Sequence, residues 1–117
     1  MQNRISFVSL SGSKEFKYVL SGEKMNSDLF TIFYKLKDTS DNKNSIQLSC
    51  VAAKKLGNAV ARNRMRRRLK TAVRKAILKI KNKFKKKFKY AIFAKSKIYD
   101  EDYQIIVDKL MIKLKSI

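Results

Sequence analysis

The sequence lacks histidine and proline, and it has a single cysteine, Cys50. The absence of histidine excludes Ser-His-Asp and Cys-His catalytic sites and every His-ligated metal site. One cysteine cannot form an internal disulfide, so nothing indicates an oxidising compartment. No apolar run reaches the ~20 residues that a membrane helix needs, and the N-terminus has no signal-peptide hydrophobic stretch. We therefore expect a cytoplasmic protein without a membrane partner.

Acidic residues are also scarce. Nine Asp and Glu stand against 29 Lys and Arg, which gives the chain a formal net charge of +20. None of the acids lies between Asn42 and Tyr99. Such a block of one sign repels itself unless it occupies a solvated face on which something negative binds. The composition predicts a polyanionic partner, most often a nucleic acid, and the alternative interpretation is a generic basic surface that aids solubility.

The length of 117 residues predicts one compact domain over 1–117, and a hydrophobic content of 44% is enough for a core. No linker or internal repeat interrupts the chain. Hydrophobic periodicity predicts an α+β fold in the order α-β-β-α-β-α, a two-layer α/β sandwich with helices packed on a small mixed sheet. The predicted elements are a helix over 13–22, strands over 29–36 and 45–52, a helix over 58–80, a strand over 88–94 and a helix over 100–115. A hairpin between the first two strands is the simplest pairing.

The long helix predicted over 58–80 has two unlike sides. At 100° per residue, an apolar stripe about 100° wide would face the core. Basic side chains cover the opposite side, and three of them step at i, i+4 and i+8 along one border of the stripe. The stripe comprises Met65, Leu69, Ala72, Val73, Ala76 and Ile80, and the border comprises Arg62, Arg66 and Lys70.

The most informative run spans 54–68 and reads KKLGNAVARNRMRRR. Gly57 permits a turn out of the preceding strand, and Asn58 can cap the helix that follows. The start of a helix offers free N–H groups and a positive dipole end, both of which suit phosphate. Arginine forks match phosphate oxygens bidentately, and the Asn63 amide can bond a base edge or a 2′-hydroxyl. The run predicts binding to a nucleic-acid backbone.

This run resembles the signature of the bacterial ribonuclease P protein component, K-K-x-G-N-A-V-x-R-N-R-x-K/R-R, and the resemblance extends from Lys54 to Arg67. The segments around Arg4, Ile5, Phe16 and Val19 are similar to the family's opening region, and 88–95 resembles its late strand. Leu20 departs from the pattern, because the family has a second aromatic residue there.

The resemblance implies the protein subunit of a ribonucleoprotein endoribonuclease that removes the 5′ leader from precursor tRNA. Its partners would be the catalytic RNA and the precursor tRNA, with no small-molecule substrate. Catalysis would lie with the RNA, which requires magnesium, so no catalytic residue or metal ligand is expected in this chain. The resemblance also implies that the motif helix joins two parallel strands by a left-handed crossover, against the usual rule.

Site residues follow from the same resemblance. The expected contacts with the catalytic RNA are Lys54, Lys55, Asn58, Arg62, Asn63, Arg64, Arg67 and Arg68. A cleft between the sheet and the first helix would hold the leader, with contacts from Phe16, Tyr34, Arg62, Arg66 and Lys70. The helical wheel favours a division in which Arg64, Arg67 and Arg68 point outward to the catalytic RNA. Arg62, Arg66 and Lys70 would then line the rim of the cleft, and Phe16 and Tyr34 would stack on leader bases.

Plainer interpretations remain for several of these residues. Phe16 and Tyr34 would also fit a core, Asn58 is explained by capping alone, and Cys50 fits a small buried hydrophobe. The lysines over 83–89 fit a solvated or phosphate-contacting edge. For the whole chain, the alternatives are a structural RNA-binding module such as a ribosomal protein, an architectural DNA-binding protein and a stand-alone nuclease.

Overall fold

The structure, a computed structural model that describes residues 6–39, 41 and 43–117, is an α+β fold as predicted. The strands are β1 (Phe7–Val8), β2 (Glu23–Asn26), β3 (Phe30–Leu36), β4 (Ile46–Val51) and β5 (Phe88–Ala94). The helices are α1 (Gly12–Leu20), α2 (Ala59–Ile80) and α3 (Tyr103–Lys115), and short 3₁₀ turns span Lys54–Leu56, Lys81–Lys83 and Ser96–Tyr99. The two short strands β1 and β2 were not predicted. Arg4 and Ile5, which the family resemblance included, lie outside the described residues.

The five strands form one mixed sheet in the order β1-β4-β5-β3-β2. β4 is parallel to β1 and to β5, whereas β3 is antiparallel to β5 and to β2. The predicted hairpin between β3 and β4 is therefore wrong, because β5 lies between them. The physical reason is that β5 is the most thoroughly buried strand, and a strand covered on both faces takes a central place. Helix α2 connects the parallel neighbours β4 and β5, and the left hand of this crossover stays a prediction.

One face of the sheet packs against α2 and α3 and forms the main core. Ile46, Phe30 and Ile32 point to this face, because alternate residues of a strand lie on the same side. Every residue of the predicted α2 stripe is buried here, which confirms the helical-wheel prediction. Cys50 packs against the same core, and burial raises the pKa of its thiol to about 12. The thiol is a packing group and not a nucleophile.

The opposite face of the sheet is covered only in part, by α1. Val19, Leu10 and Ala91 are buried there. Beside them lie half-buried aromatic rings, and those of Phe33 and Phe93 meet edge to face with their centroids 5.5 Å apart. Half-buried aromatic groups on an open sheet face offer stacking surfaces to a ligand.

Candidate nucleic-acid interface

The turn into α2 is built as the sequence predicts. Gly57 has φ +146°, a backbone conformation that residues with a side chain rarely adopt. Asn58 caps the helix, since its Oδ1 accepts a hydrogen bond of 2.9 Å from the backbone N–H of Ala61. Lys54 and Lys55 precede this turn and are both exposed. Both lysine side chains are therefore accessible to RNA. Helix capping is sufficient to explain an asparagine at position 58, so its predicted RNA contact is not needed to explain it.

A groove of about 490 Å³ separates α2 from β1 and β4. β1 pairs with β4 at Ile46 and Gln47. Beyond Gln47, none of the described residues pairs as a strand with this edge of β4, and the groove opens there. Leu48, Ser49 and Cys50 lie along that edge. Five side chains of α2 line the other wall, and we call this site the arginine groove: Asn63, Arg66, Arg67, Lys70 and Arg74.

The arginine groove is strongly positive, because four of its α2 residues are cations and none of the described residues that line it is acidic. The Arg74 guanidinium lies 5.0 Å from the ring centroid of Phe7 in β1, which holds that cation against the groove wall. The positive charges of Lys70 and Arg74 also act to lower the pKa of the Cys50 thiol on the opposite wall, against the larger effect of burial. A polyanion backbone fits such a site, since several fixed cations converge on one open channel.

The structure divides the basic residues differently from the helical wheel. Arg66 and Lys70, predicted for the rim of the leader cleft, line the arginine groove between α2 and the sheet instead. Arg67, predicted to point outward to the catalytic RNA, lines the same groove. Arg62 is not among the lining residues, and its Nε is buried without a partner among the described residues.

Arg64 and Arg68 contact the protein itself on the other side of α2. The Arg68 guanidinium donates to the carbonyl oxygens of Ile98, at 3.0 Å, and of Glu101. Arg64 donates to the carbonyl oxygen of Tyr99 at 3.0 Å and lies over its ring. Arg64 stays exposed, whereas Arg68 is half-buried. The outward role predicted for Arg68 is therefore corrected to a brace between α2 and the segment before α3.

We expect Arg68→Ala to lower the free energy of unfolding by about 1.5–3 kcal/mol, because two carbonyl groups lose a charged donor. Arg67→Ala, one residue earlier and exposed, should change it by less than about 0.5 kcal/mol. Urea titrations of both variants measure the difference. Equal stabilities would contradict the brace.

The two aromatic residues predicted to stack on a leader lie on opposite faces of the sheet. Phe16 packs on the α1 face. Tyr34 packs against the main core, with its ring centroid 5.2 Å from that of Phe88 and 6.3 Å from that of Tyr90. One strand of nucleic acid lying along Phe16 does not reach the Tyr34 ring, so its position does not support the stacking role.

Sequence reasoning missed the aromatic residues that do share a face with Phe16. Phe33 and Phe93 stand opposite Ala91 and Thr31 across the β3–β5 pair, with the side-chain direction of the α1 face. We call Phe16, Phe33 and Phe93 the aromatic face. The alternating pattern of the strand over 29–36 already indicates that the Phe33 and Tyr34 side chains point to opposite faces of the sheet. It does not indicate which of the two faces α1 covers.

The aromatic face and the arginine groove meet at the edge of β4. Ser49 lines the groove, and its hydroxyl accepts a hydrogen bond of 2.9 Å from the backbone N–H of Leu10, which is buried under α1. Ser49 therefore belongs to the lining of the cationic groove and also to the row Ser49, Ala91 and Phe33 across the sheet face that carries the aromatic rings. Within the part of the chain that the structure describes, no helix is long and apolar enough to cross a membrane.

A family model described as Ribonuclease P matches residues 6–117. The chain belongs to the ribonuclease P protein family. The fold agrees: the Staphylococcus aureus RNase P protein superposes with a TM-score of 0.71 at 21% identity, over 92% of this chain and 93% of that one. The RNase P protein from Thermotoga maritima superposes with a TM-score of 0.65 at 24% identity, over 87% of this chain and 90% of that one. No curated protein sequence matches this ribonuclease P protein.

Proposed function

We propose that this ribonuclease P protein binds the catalytic RNA through the arginine groove and the 5′ leader of precursor tRNA on the aromatic face. The complex, which we place in the cytoplasm, would remove the leader and leave the mature 5′ end of the tRNA. The observation that carries the proposal is that Ser49, at the edge of β4, lines the groove and lies in one row with Ala91 and Phe33 on the aromatic side of the sheet. A protein with that arrangement holds two polyanions next to each other.

The arginine groove suits structured RNA. Arg66, Arg67 and Arg74 present planar forks that bond two phosphate oxygens at once, and Lys70 adds a point charge. Asn63 adds the one neutral amide on this wall, which distinguishes a base edge or a 2′-hydroxyl from a plain phosphate. Lys54, Lys55 and the exposed Arg64 extend the positive surface around the start of α2, while Arg62 keeps its proposed RNA contact next to them.

The aromatic face suits a single strand, because unpaired bases stack on exposed rings without regard to sequence. Phe33 and Phe93 take over the role first assigned to Tyr34. Leu20, the departure from the family pattern, is also exposed on α1 but has no ring to offer a stacked base. Lys24 lies over the Phe33 ring, with its Nζ 5.7 Å from the centroid, and would meet the backbone of a stacked strand.

The protein side of this enzyme supplies binding and not bond scission. It has no histidine, and no three Cys, Asp or Glu side chains of the described residues come together in a way that suits a metal ion. We propose that magnesium ions held on RNA phosphates carry the hydrolysis.

Reconstitution with catalytic RNA and precursor tRNA tests the proposal. Adding the protein at low magnesium and physiological salt should restore leader removal, and binding of precursor over mature tRNA should be favoured. Cleavage by the protein alone would instead indicate a nuclease, and RNA binding without restored cleavage would indicate a structural module.

Two neighbouring substitutions test the leader site in the same assay. Phe33→Ala should reduce the preference for precursor over mature tRNA by about 5-fold to 150-fold, the range that ~1–3 kcal/mol per stacked base implies. Tyr34→Leu, on the opposite face, should leave that preference unchanged. If Tyr34→Leu reduced the preference and Phe33→Ala did not, the leader would bind on the face of Tyr34, and the proposed leader site on the aromatic face would be wrong.

A further inference from the structure

The ends of α2 and α3 carry a second cluster of cations that the proposed function does not use. A shallow groove of about 280 Å³ lies between them, and Ile80, Asn82 and Met111 contribute to its lining. Four exposed lysines surround it, which we call the lysine end: Lys79, Lys81, Lys83 and Lys115.

The lysine end continues beyond the arginine groove along α2. At a rise of 1.5 Å per residue, Lys79 lies about 7.5 Å past Arg74, the last groove residue, and about 24 Å past Asn63, the first. Among the described residues, none lines both grooves. A single phosphate contact cannot serve both.

Acidic residues balance one half of α2 but not the other. α3 runs beside α2 in the same direction, since Arg68 contacts Glu101 at its beginning and Lys79 shares a groove with Met111 near its end. The acids at 100–102 therefore lie beside the arginine half. None of the four lysines of the lysine end forms an ion pair with any of the described residues.

Helix-end stabilisation does not account for this cluster. One lysine in the last turn, Lys79, satisfies the helix dipole of α2. Lys81 follows at φ +49°, in the left-handed region where glycine is the relaxed choice. A lysine in that position brings backbone strain as well as like-charge repulsion, so folding alone does not explain it.

We propose that the lysine end binds a second segment of the catalytic RNA through its phosphates. This inference rests on the proposed function. The chain would thereby hold the RNA at two places along α2 and fix the orientation of the particle, which one groove cannot do. An RNA partner fits better than an acidic protein surface, because the groove is shallow and ringed by flexible point charges, with little apolar wall to bury.

Tethered hydroxyl-radical cleavage locates each site on the RNA. Ser9→Cys in the arginine groove and Asn82→Cys in the lysine end place an iron chelate at each without removing a charge. The unsubstituted chain, with Cys50 as its single thiol, measures any labelling of the native cysteine and is the control for both probes. We expect the two probes to cut different stretches of the catalytic RNA.

Other outcomes overturn the inference in distinguishable ways. If Ser9→Cys cuts the catalytic RNA and Asn82→Cys does not, the lysine end faces solvent or a protein, and only this inference fails. Cuts from Asn82→Cys confined to precursor tRNA also refute it. If neither probe cuts any RNA, the proposed function fails as well.

Charge removal gives an independent measure. The triple variant carries Lys79→Gln, Lys81→Gln and Lys83→Gln. We expect it to bind the catalytic RNA at least tenfold more weakly, and the magnitude of the negative slope of log affinity against log salt should fall by about 2 to 3. The control removes the same charge at Lys14, Lys17 and Lys43, all exposed elsewhere, and should have a much smaller effect. Lys81→Gly relaxes the backbone while removing one charge, so weaker binding at an unreduced melting temperature would separate RNA contact from folding. Equal affinities for the triple variant and its control would refute the lysine end.

Discussion

Replacing Arg66, Arg67, Lys70 and Arg74 with glutamine should weaken binding to the catalytic RNA by roughly 100-fold or more at 0.15 M salt. The logarithm of the affinity falls linearly with the logarithm of the salt concentration, and each lost phosphate contact reduces the magnitude of that negative slope by about 0.7–0.9. Four lost contacts therefore reduce it by about 3. All four side chains are exposed, and glutamine is a good helix former, so α2 should persist. Filter binding or fluorescence anisotropy over a salt series measures both quantities.

Two control variants separate the effect of the groove from the effect of total charge. Glutamine at Lys14, Lys17, Lys24 and Lys43 removes the same net charge outside the groove and should lower the slope far less. Lysine at Arg66, Arg67 and Arg74 keeps the charge but loses the bidentate fork, so it should keep the slope and lose affinity. If the groove variant and the equal-charge control bind alike, affinity is a property of the whole charge and not of the groove.

The sequence predicted the long elements well because their patterns are repeated many times. The helix predicted over 58–80 is observed as Ala59–Ile80, and the strand over 88–94 has the predicted bounds. Six turns of helix sample a 3.6-residue period repeatedly, so chance apolar positions do not shift the stripe. At the start of α3, the Asp102 carboxylate caps the helix by accepting hydrogen bonds from the N–H groups of Gln104 and Ile105.

The short strands could not be predicted, because pairing and not composition makes them strands. β1 has two residues, and Val8 is exposed. β2 reads Glu-Lys-Met-Asn and is a strand since its backbone pairs with β3 from Thr31 to Tyr34. The position of β5 between β3 and β4 likewise depends on contacts between residues far apart in the sequence. The local alternation of a strand does not indicate which strand it pairs with.

The site shows the same limit at the level of single residues. The wheel showed which side of α2 faces the core, but not what lies beside its flanks. Arg67 and Arg68 are adjacent and chemically identical, yet one lines the groove and the other braces a segment thirty residues further along the chain. Only the packing of 98–101 against α2 separates them.

Lys89→Met should lower the free energy of unfolding by about 2–4 kcal/mol. Lys89 is 5% exposed on the α1 face of β5, with its Nζ 3.0 Å from Asp41 Oδ2 and 3.9 Å from Glu15 Oε2. Removing one partner of a buried ion pair leaves the others uncompensated, an effect of about 3–5 kcal/mol, reduced here because both carboxylates keep some solvent. Thermal unfolding should show a decrease in Tm of roughly 10–15 °C.

Lys35→Met is the matched control, since Lys35 stands directly opposite Lys89 on β3 and shares the Tyr18 ring with it. Its ammonium group donates to the Ser21 hydroxyl and not to a carboxylate, so the loss should be about 1 kcal/mol. Adding Glu15→Gln and Asp41→Asn to Lys89→Met should recover much of the lost stability. No recovery would mean that Lys89 acts through packing of its stem and not through its charge.

The pH dependence separates these two roles further. Burial alone would lower the pKa of Lys89, but the hydrogen bond to Asp41 and the charges of Glu15 and Asp38 outweigh it and raise the pKa above its ordinary 10.5. A cation whose pKa is raised by folding contributes its stability below the ordinary value and loses it as pH rises through the folded value. The difference in unfolding free energy between wild type and Lys89→Met should therefore stay constant from pH 6 to about pH 10 and shrink above it. A difference that persists unchanged at higher pH would assign the effect to packing, because the stem of the side chain does not titrate.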